Sequence, residues 1–362
     1  MFTPKIFGNN MKNPIAEQVL KQYRETQEVI GYEPFGGGHI NDTFLVTTKK
    51  EQYILQRVNK NVFLTDALVH NYNVLFDYLH RFQQKDKVKL TPAILTTISG
   101  DYHIVDEEGF AWRLAEFIPG TKSYQISPEP DISFKAARAM GRFQQFLNTL
   151  PAKEFDFTII NYHNPESRLK AFKDALSKAP ENLREKAKIE IDFSLRHQHI
   201  VNEYNAVVNK LPQRVTHNDT KLDNMLFYGD DVLVIDLDTV MPSSVLFDYG
   251  DMVRTFTSPA AEDEKDESKI SFRIEHFEAL TRGYLEGLKG SLKPVEKENL
   301  LLGARAIIYE QTLRFLTDYL LGNPYYKVKY AEHNLVRTKT QVALLSVIEQ
   351  NKTGLHDFIL SV

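Results

Sequence analysis

The chain has 362 residues, enough for two domains, and 42% of them are hydrophobic, which supports a sizeable core. Its 44 Lys and Arg residues against 48 Asp and Glu give a formal net charge of −4, which argues against nucleic acid or an anionic membrane as the main partner. The absence of cysteine excludes disulfides, thiol catalysis and cysteine-bound metals.

No stretch approaches the roughly 18 consecutive apolar residues of a membrane span. The N-terminal residues also lack the apolar core of a signal peptide. The sequence therefore predicts a soluble, cytoplasmic protein.

The first part of the chain is predicted to be small and mostly β, with two helices. The first helix is expected over Asn13–Val29, after an Asn-Pro start signal, and the second over Leu68–Arg81. Strands are predicted from short apolar segments between turn signals. They are Ile30–Phe35, Thr43–Thr47, Gln52–Val58, Ala93–Thr97, Tyr102–Val105 and Ala111–Phe117.

Beyond Gly120 helical periodicity dominates, and the charge run Glu262–Lys269 is predicted to be a solvated loop. We therefore expect an N-terminal lobe over residues 1–117 and a larger helical lobe over residues 118–362. The helical segments are Phe134–Leu150, Glu166–Tyr204, Ile274–Leu288, Val295–Tyr330 and Ala331–Ile348.

The segment from Val215 to Asp236 carries the strongest functional pattern. His217, Asp219 and Asn224 follow H-x-D-x-x-x-x-N spacing, and two short apolar segments flank a turn around Gly229. This pattern predicts a β-hairpin. If Phe227 pairs with Val232, then Met225 faces Val234, and Asn224 faces Ile235.

That register brings the side chains of Asn224 and Asp236 to the same end of the hairpin, with Asp219 a few residues upstream. Oxygen ligands of this kind suit Mg²⁺, which takes one or two protein oxygens together with substrate phosphates. The segment is therefore typical of a phosphoryl-transfer site. The alternative is a chance match, in which the acids simply face solvent.

A glycine-rich turn between two predicted strands is the candidate phosphate loop. Gly36, Gly37 and Gly38 allow backbone N–H groups to approach an anion, although glycines also serve simply to turn a hairpin. Arg57, on a following strand, could pair with phosphates bidentately. The alternative for Arg57 is a surface side chain on an edge strand.

Several motifs together resemble the aminoglycoside phosphotransferase and choline kinase-like superfamily. They are F-G-G-G-H-I-N-D-T-F, I-L-Q-R-V, W-R-L-A-E-F-I-P-G, A-A-R-A-M-G-R-F-Q, T-H-N-D-T-K-L-D-N and I-D-L-D-T-V. The resemblance implies an α+β, two-lobed, protein-kinase-like fold with a small β-rich N-terminal lobe and a larger helical lobe. It also implies ATP and Mg²⁺ as cofactors and a small hydroxyl-bearing molecule as acceptor.

The resemblance also implies roles for individual residues. Asp219 would be the catalytic base, and His217 would brace its loop by hydrogen bonding. Asp238 would be a further acid near the metal, unless it is a solvent-facing loop residue. Metal ligands would be Asn224 and Asp236, and nucleotide contacts would come from Gly36, Gly37, Gly38, Asn41, Thr43, Arg57, Glu116 and Ile118.

Within the superfamily, G-H-I-N-D-T, H-N-D-T-K, D-L-D-T-V-M-P and R-F-L-T-D-Y-L are most similar to bacterial N-acetylhexosamine 1-kinases. This similarity implies transfer to the anomeric hydroxyl of N-acetylglucosamine or N-acetylgalactosamine by a monomer or homodimer. Besides Asp219, the sugar contacts would be His39, Arg314 and Tyr325. The alternative for Arg314 is an ion pair with Asp318 on its own helix.

One feature departs from the kinase pattern. The helix Leu68–Arg81 contains no Glu to pair with Arg57, so the partner of Arg57 stays open. Two other functions also stay open. The same fold could phosphorylate choline, homoserine, an aminoglycoside or another sugar, or it could be a catalytically silent binding module.

Overall fold

The protein is described from a computed structural model, which covers residues 13–36, 40–86 and 88–362. The chain forms two compact units. The first contains the described residues up to Leu79 together with Pro92–Pro119, and the second contains His80–Thr91 and Gly120–Val362. A lobe boundary between residues 117 and 118 stays a prediction.

The first unit is built on an antiparallel sheet with strand order β1-β2-β3-β6-β4, in which β5 also pairs with β6. Each predicted strand is present, within a few residues of its expected bounds. The elements are α1 (Pro14–Leu20), β1 (Val29–Pro34), β2 (Asp42–Thr48), β3 (Gln52–Arg57), α2 (Thr65–Asp86), β4 (Ile94–Leu95), β5 (Ile104–Val105) and β6 (Ala111–Glu116).

Helix α1 begins where predicted but ends at Leu20, so the expectation of a helix to Val29 is wrong. The side chain of Asn13 caps its N-terminus by accepting the N–H groups of residues 15 and 16. After Leu20, the hydroxyl of Thr26 donates to the carbonyl of Leu20, and the amide of Gln27 donates to the carbonyl of Tyr23. These side-chain donors satisfy carbonyls that a longer helix would have paired.

The two faces of this sheet differ. Leu55, Trp112 and Leu114 are fully buried on the face that packs with α1. On the opposite face, Arg113 donates to Gln56 and to the hydroxyl of Tyr72 on α2. Residues that alternate along β3 and β6 therefore belong to different environments.

The second unit is mostly helical, and most of α11 is buried. Its helices are α3 (Pro130–Leu147), α4 (Pro165–Lys178), α5 (Glu181–Lys186), α6 (Lys188–Arg196), α7 (His199–Val208), α8 (Val245–Phe256), α9 (Ile274–Leu288), α10 (Pro294–Glu298), α11 (Leu300–Leu320), α12 (His333–Gln350) and α13 (Lys352–Ser361). Its strands are β7 (Arg214–Thr216), β8 (Met225–Tyr228), β9 (Asp231–Val234) and β10 (Met241–Ser243).

The predicted hairpin is present as β8 and β9, with the predicted register. Met225 pairs with Val234 and Phe227 with Val232. Beyond the last strand pair, the N–H of Ile235 donates to the carbonyl of Asn224 at 3.0 Å. Asn224 and Asp236 therefore lie at the same end of the hairpin, as the sequence predicted.

Two predictions for the C-terminal helices are wrong. The helix expected over Val295–Tyr330 ends at Leu320, because Gly322 and Asn323 both adopt a positive φ and Pro324 follows. A separate last helix, α13, was not predicted at all. It follows α12 after a break at Asn351.

The charge run Glu262–Lys269 is largely exposed, as predicted, but its first acids are held by ion pairs. Glu262 lies 2.8 Å from Arg254 on α8, and Asp263 lies 3.1 Å from Lys329 and from His333. The run is therefore fixed to neighbouring elements and is not a freely solvated loop.

Helices α8 and α11 meet through glycines. A Cβ added at Gly250 would lie 2.6 Å from the carbonyl oxygen of Gly303, and one added at Gly303 would lie 2.2 Å from the carbonyl oxygen of Leu246. These neighbours are backbone atoms, which cannot move aside as a flexible side chain can. The contact therefore fixes the position of α8. None of the helices in the described part of the chain is long and apolar enough to cross a bilayer.

We expect Gly250→Ala to destabilise the protein by about 1–3 kcal/mol, because the added methyl group overpacks a backbone contact. The matched control is Gly354→Ala on α13, where an added Cβ meets nothing within 4 Å. That change should stabilise the helix by up to about 1 kcal/mol. Urea-unfolding midpoints of both variants measure the effect, and equal midpoints would contradict the close packing.

Candidate active site

A buried acid on α8 hydrogen-bonds the backbone of the loop that carries Asp219. The carboxylate of Asp248 accepts the N–H of His217 at 3.0 Å and the N–H of Asn218 at 2.7 Å. The hydroxyl of Thr220 donates to the carbonyl of Asp248 at 2.6 Å. Burial raises the pKa of Asp248 to about 6, although these backbone donors and His217 oppose the rise.

The imidazole of His217 braces the loop at both nitrogens. Its Nδ1 accepts the N–H of Asp219 at 3.2 Å, so Nε2 carries the proton and donates to the carbonyl of Ile235 at 3.0 Å. The ring thereby joins Asp219 to the residue before Asp236. This is the bracing role that was expected, and both ring nitrogens are already engaged.

Asn218 adopts the left-handed conformation, with φ of 67°. Its side-chain amide donates to the carbonyl of Thr239 at 2.9 Å and accepts the hydroxyl of Thr216 at 3.0 Å. Asparagine tolerates positive φ better than most residues, and these hydrogen bonds offset the remaining strain. The loop is therefore rigid immediately before Asp219.

Asp219 is a partly exposed carboxylate, with 20% of its side chain accessible. The ammonium of Lys221 lies 3.0 Å from Oδ2, and the amide of Asn224 donates to the same oxygen at 2.9 Å. Burial by itself would raise the pKa of Asp219. The Lys221 cation and the Asn224 hydrogen bond outweigh burial and hold that pKa below its ordinary value, so the carboxylate is ionised at neutral pH.

The residues around Asn224 fit a divalent cation. The amide nitrogen of Asn224 is used by Asp219, and its Oδ1 accepts no hydrogen bond from any described residue. Nearby, three carboxylates, those of Asp219, Asp223 and Asp236, act on the single ammonium of Lys221 and outweigh the effect of burial on its pKa, which is raised. This surplus of negative charge beside an open amide oxygen suits Mg²⁺.

Asp236 follows β9 in the left-handed conformation, with φ of 63°, and precedes a short 3₁₀ turn. Strained backbone of this kind is common at ligand sites. Among the described residues, no group of three or more His, Asp or Glu side chains forms a ready-made metal cage. The set instead resembles a Mg²⁺ site that is completed by substrate phosphates.

Asp238 is buried, with 1% exposure, so the alternative of a solvent-facing loop acid is wrong. Its carbonyl accepts the hydroxyl of Thr158 at 3.0 Å. The next residue, Thr239, donates its hydroxyl to the carbonyl of His217 at 2.7 Å. The loop after β9 is therefore hydrogen-bonded to the loop that carries Asp219.

In the first unit, the described part of the glycine-rich turn begins with Phe35 and Gly36, which has φ of 77°. Gly37, Gly38 and His39 lie outside the described residues. The ring of Phe35 packs edge-on against Phe117 at 5.7 Å. The start of this turn therefore lies beside the segment Glu116–Ile118, which was predicted to contact the nucleotide.

Asn41 and Thr43, the other predicted nucleotide contacts in this turn, hydrogen-bond within the first unit. The side-chain oxygen of Asn41 accepts the N–H of Asn59 at 3.1 Å, and the hydroxyl of Thr43 accepts the amide of Gln56 at 3.3 Å. Glu116 also accepts the N–H of Ala93 at 3.1 Å. Their roles towards a nucleotide stay predictions.

The acidic partner of Arg57 lies on the neighbouring strand. Its guanidinium pairs with Asp42, directly opposite on β2, at 2.8 Å, and stacks over Phe110 at 4.4 Å. Arg57 lies on the same face as Trp112, whereas Arg113 lies on the face towards α2. The phosphate role of Arg57 stays a prediction, and its acidic partner comes from the sheet instead of from the following helix.

Arg314 does not pair with Asp318, so the alternative of an i, i+4 ion pair is wrong. Asp318 instead accepts the N–H groups of Tyr325 and Tyr326 at 2.9 and 3.0 Å. The guanidinium of Arg314 lies near the rings of Tyr162 and Tyr326, 5.9 and 5.7 Å from their centroids.

The only hydrogen bond that the Arg314 side chain makes to a described residue goes to Gln311, at 3.3 Å. No described carboxylate is within ion-pairing distance of it. Tyr325 is 67% exposed next to Tyr326, and the third predicted sugar contact, His39, is not described.

Tyr162 was not found from the sequence, although its ring lies near Arg314 and its phenol is affected by the charge of Asp219. Burial raises the pKa of the Tyr162 phenol, and the nearby charges of Asp219, Arg314, Lys221 and Asp251 act on the same group. Lys221 was also missed, although its position two residues after Asp219 could have identified it. We refer to Tyr162, Asp251, Glu310, Arg314 and Tyr326 as the polar cluster.

A buried histidine links this cluster to the loop of Asp219. Nε2 of His163 lies 2.8 Å from the carbonyl of Asn218, and Nδ1 lies 3.4 Å from the carboxylate of Glu310. Both partners carry acceptor oxygens, so a ring that is protonated at both nitrogens can donate to both of them. Burial would lower the pKa of His163, but the carboxylate of Glu310 outweighs it and the pKa is raised.

The pKa of His163 predicts how stability depends on pH. Because the folded protein raises it above the ordinary value of 6.5, the stabilisation is complete below that value and is lost as pH rises through the raised pKa. Other charged groups near the ring are Asp251 and Asp248 on α8 and Arg168 on α4, which lies 3.9 Å from Glu310.

We expect His163→Gln to cost up to about 3–5 kcal/mol at pH 6, because it removes the closer cationic partner of the buried Glu310 and leaves only Arg168 at 3.9 Å. The cost should shrink at higher pH, where the wild-type ring is neutral. Urea unfolding between pH 6 and pH 9 measures this difference, and Glu310→Gln should also flatten the pH dependence. A gap between wild type and His163→Gln that stays constant over this range would show that His163 is not charged.

Taken together, a small antiparallel sheet, a helical second unit and an acid-bearing loop joined to a hairpin define a kinase-like phosphotransferase. The chain matches the model of the APH phosphotransferase enzyme family over residues 31–284, and it belongs to that family.

Solved structures with the same fold align with nearly the whole chain. A choline/ethanolamine kinase family protein from Mesorhizobium loti has 18% identity and a TM-score of 0.60, covering 96% of this chain and 98% of that one. Spectinomycin phosphotransferase in complex with ADP and spectinomycin has 12% identity and a TM-score of 0.61, with 93% and 98% covered.

Amicoumacin kinase in complex with AMP-PNP, Ca²⁺ and its ligand Ami has 13% identity and a TM-score of 0.59, with 92% of each chain covered. These identities establish the fold alone. The predicted fold class, α+β and protein-kinase-like with a small β-rich N-terminal lobe, is confirmed.

Proposed function

We propose that this protein transfers the γ-phosphoryl group of ATP to the anomeric hydroxyl of N-acetylglucosamine or N-acetylgalactosamine, giving the sugar 1-phosphate. The observation that carries the proposal is the ionised Asp219, which is held by Lys221 and Asn224 within reach of solvent. Family membership supports phosphoryl transfer to a small molecule. The choice of sugar comes from the sequence similarity to N-acetylhexosamine 1-kinases.

In this proposal Asp219 accepts the proton of the acceptor hydroxyl. The hydroxyl oxygen then forms a bond to the γ-phosphorus while the bond from phosphorus to the bridging oxygen of ADP breaks. A carboxylate with a lowered pKa is a weak base, so its main contribution is to orient the hydroxyl for in-line attack. The hydrogen bonds of His217 and Asn224 fix that orientation.

Asn224 and Asp236, with Asp238 close by, would hold Mg²⁺ at the end of the hairpin. When bound there, the ion would neutralise charge on the phosphate oxygens. ATP and a divalent metal are also the partners suggested by relatives solved with ADP, or with AMP-PNP and Ca²⁺. The glycine-rich turn and the segment Glu116–Ile118 would contact the nucleotide.

The charges near Arg314 favour a neutral acceptor over a cationic one. Choline and aminoglycosides carry positive charge and call for an acidic or aromatic cage without competing cations. Here two of the nearby acids already have cationic partners, since Glu262 pairs with Arg254 and Glu310 faces His163. The guanidinium of Arg314, which has no carboxylate partner among the described residues, would repel an ammonium group and can donate to a sugar hydroxyl or an acetamido carbonyl.

The test is ADP release by the purified protein with Mg·ATP and each N-acetylhexosamine, followed by ³¹P NMR of the product. A sugar 1-phosphate is the expected result. Choline, homoserine and an aminoglycoside serve as parallel acceptors. Turnover of one of these, with none of the sugars, would overturn the proposed acceptor and leave the family assignment intact. Binding of Mg·ATP without turnover of any acceptor would favour a binding module.

The variant Asp219→Asn should lose about 10²–10⁴-fold in kcat, since the amide cannot accept the proton. Nucleotide affinity, measured with a fluorescent ATP analogue, should change little. Asp230→Asn, in the exposed hairpin turn, is the matched control and should behave as wild type. Near wild-type turnover in Asp219→Asn would show that Asp219 is not the base. The monomeric or homodimeric state and the cytoplasmic location stay predictions.

A further inference from the structure

A buried carboxylate oxygen beside the catalytic loop has no hydrogen-bond partner. Asp251 on α8 is 4% exposed, and its Oδ1 accepts the Nε–H of Arg254 at 2.8 Å. Its Oδ2 is fully buried and accepts nothing from the residues that the structure describes. An unpaired buried carboxylate oxygen is costly, so it calls for a functional explanation.

The position of Asp251 on its helix places it on the side of the catalytic loop. It lies three residues after Asp248, hence on the same helical face, and Asp248 binds the backbone next to Asp219. Besides burial, the charges of both Asp219 and Asp251 contribute to the raised pKa of the Tyr162 phenol, so both carboxylates lie near it.

Asp251 is also held rigidly and already carries a countercharge. Arg254 is 10% exposed and bridges Asp251 to Glu262, with both contacts at 2.8 Å. Glu262 also has Arg337 at 3.9 Å, so two guanidinium groups face the two carboxylates, and a ligand at Oδ2 needs to supply a hydrogen-bond donor but no positive charge. A hydroxyl group meets this requirement better than an ammonium group.

The rest of the polar cluster offers complementary groups. The hydroxyl of Tyr326 is buried without a hydrogen-bond partner among the described residues. The ring of Tyr326 lies beside Arg314, whose guanidinium has donors to spare. Acceptor and donor groups thus occur together, as a neutral molecule with several hydroxyl groups requires.

We propose that Oδ2 of Asp251 accepts a hydrogen bond from a non-reacting hydroxyl of the acceptor sugar, so that Asp251 determines acceptor specificity. This inference rests on the proposed function, since it needs a polyhydroxylated acceptor. A site built around a buried charged acceptor rejects analogues that lack the matching donor, because the carboxylate is then left unpaired. The enzyme should therefore discriminate against sugars that are deoxygenated at one ring position.

The test combines Asp251→Asn with deoxy analogues of the accepted N-acetylhexosamine, missing the 3-, 4- or 6-hydroxyl in turn. For the intact sugar, Asp251→Asn should raise KM about 10- to 100-fold, the range for a hydrogen bond to a charged group. The KM for ATP should not change, and kcat should change less than the sugar KM. Asp230→Asn again serves as the control.

With the wild-type enzyme, kcat/KM for one of the deoxy sugars should be lower than for the intact sugar by a factor similar to the effect of Asp251→Asn. With the Asp251→Asn enzyme, kcat/KM for that deoxy sugar should be little lower than for the intact sugar. Such non-additivity identifies a direct contact, which a purely structural role would not produce. Thermal unfolding of Asp251→Asn shows whether the variant is folded. If the variant is not folded, the test is the wild-type kcat/KM for the three deoxy analogues. One analogue should then be a much poorer substrate than the other two, and equal kcat/KM for all three would overturn the inference.

A folded Asp251→Asn with wild-type sugar KM, or with equal further losses on every deoxy analogue, would overturn the inference and leave the proposed function standing. Asp251 would then only support Arg254. Absence of turnover of both N-acetylhexosamines by the wild-type enzyme would overturn the proposed function and this inference with it.

Discussion

The loop that carries Asp219 depends on one buried carboxylate. Asp248 receives the N–H groups of two successive residues, His217 and Asn218, at the point where the chain turns into the left-handed conformation before Asp219. Two parallel N–H donors need an acceptor with two oxygens, which an ionised carboxylate provides and a neutral amide does not. Burial raises the pKa of Asp248 to about 6, which is still below neutral pH, so the carboxylate is mostly ionised there. The position of Asp219 therefore depends on the position of α8.

The position of helix α8 is in turn fixed by a close backbone contact that only glycine allows. Its Gly250 lies against the backbone of Gly303 on α11, so the two helix backbones touch. Glu310, further along α11, faces His163, which binds the carbonyl of Asn218. The helices α8 and α11 therefore both fix the loop that carries Asp219. Asp248 on α8 binds it directly, and Glu310 on α11 binds it through His163. Rigid support of this kind is what a reaction that relies mainly on positioning requires.

Local sequence signals predicted the hairpin from two apolar segments around a turn, and the pairing of Phe227 with Val232 that was assumed for its register is the one observed. They failed where side chains or backbone torsions end a helix, as with Thr26 after α1 and Gly322 after α11. Arg314 was anticipated from the resemblance and not from its own pattern. No role was predicted for Asp251, because its burial follows from the packing of α8, which no local pattern reveals.

Charge divides the second unit's site into two parts. Around Lys221, three carboxylates outnumber one ammonium, and this excess of negative charge suits a divalent cation. Near Arg314, Glu262 and Glu310 have cationic partners of their own, and the guanidinium of Arg314 faces aromatic rings and an amide. A cationic acceptor would be drawn towards the first part, where it would compete with the metal for the same carboxylates, and it would be repelled from the second. The neutral acceptor that we propose has no such conflict, and it would bind through the unpaired oxygen of Asp251 and the donors of Arg314.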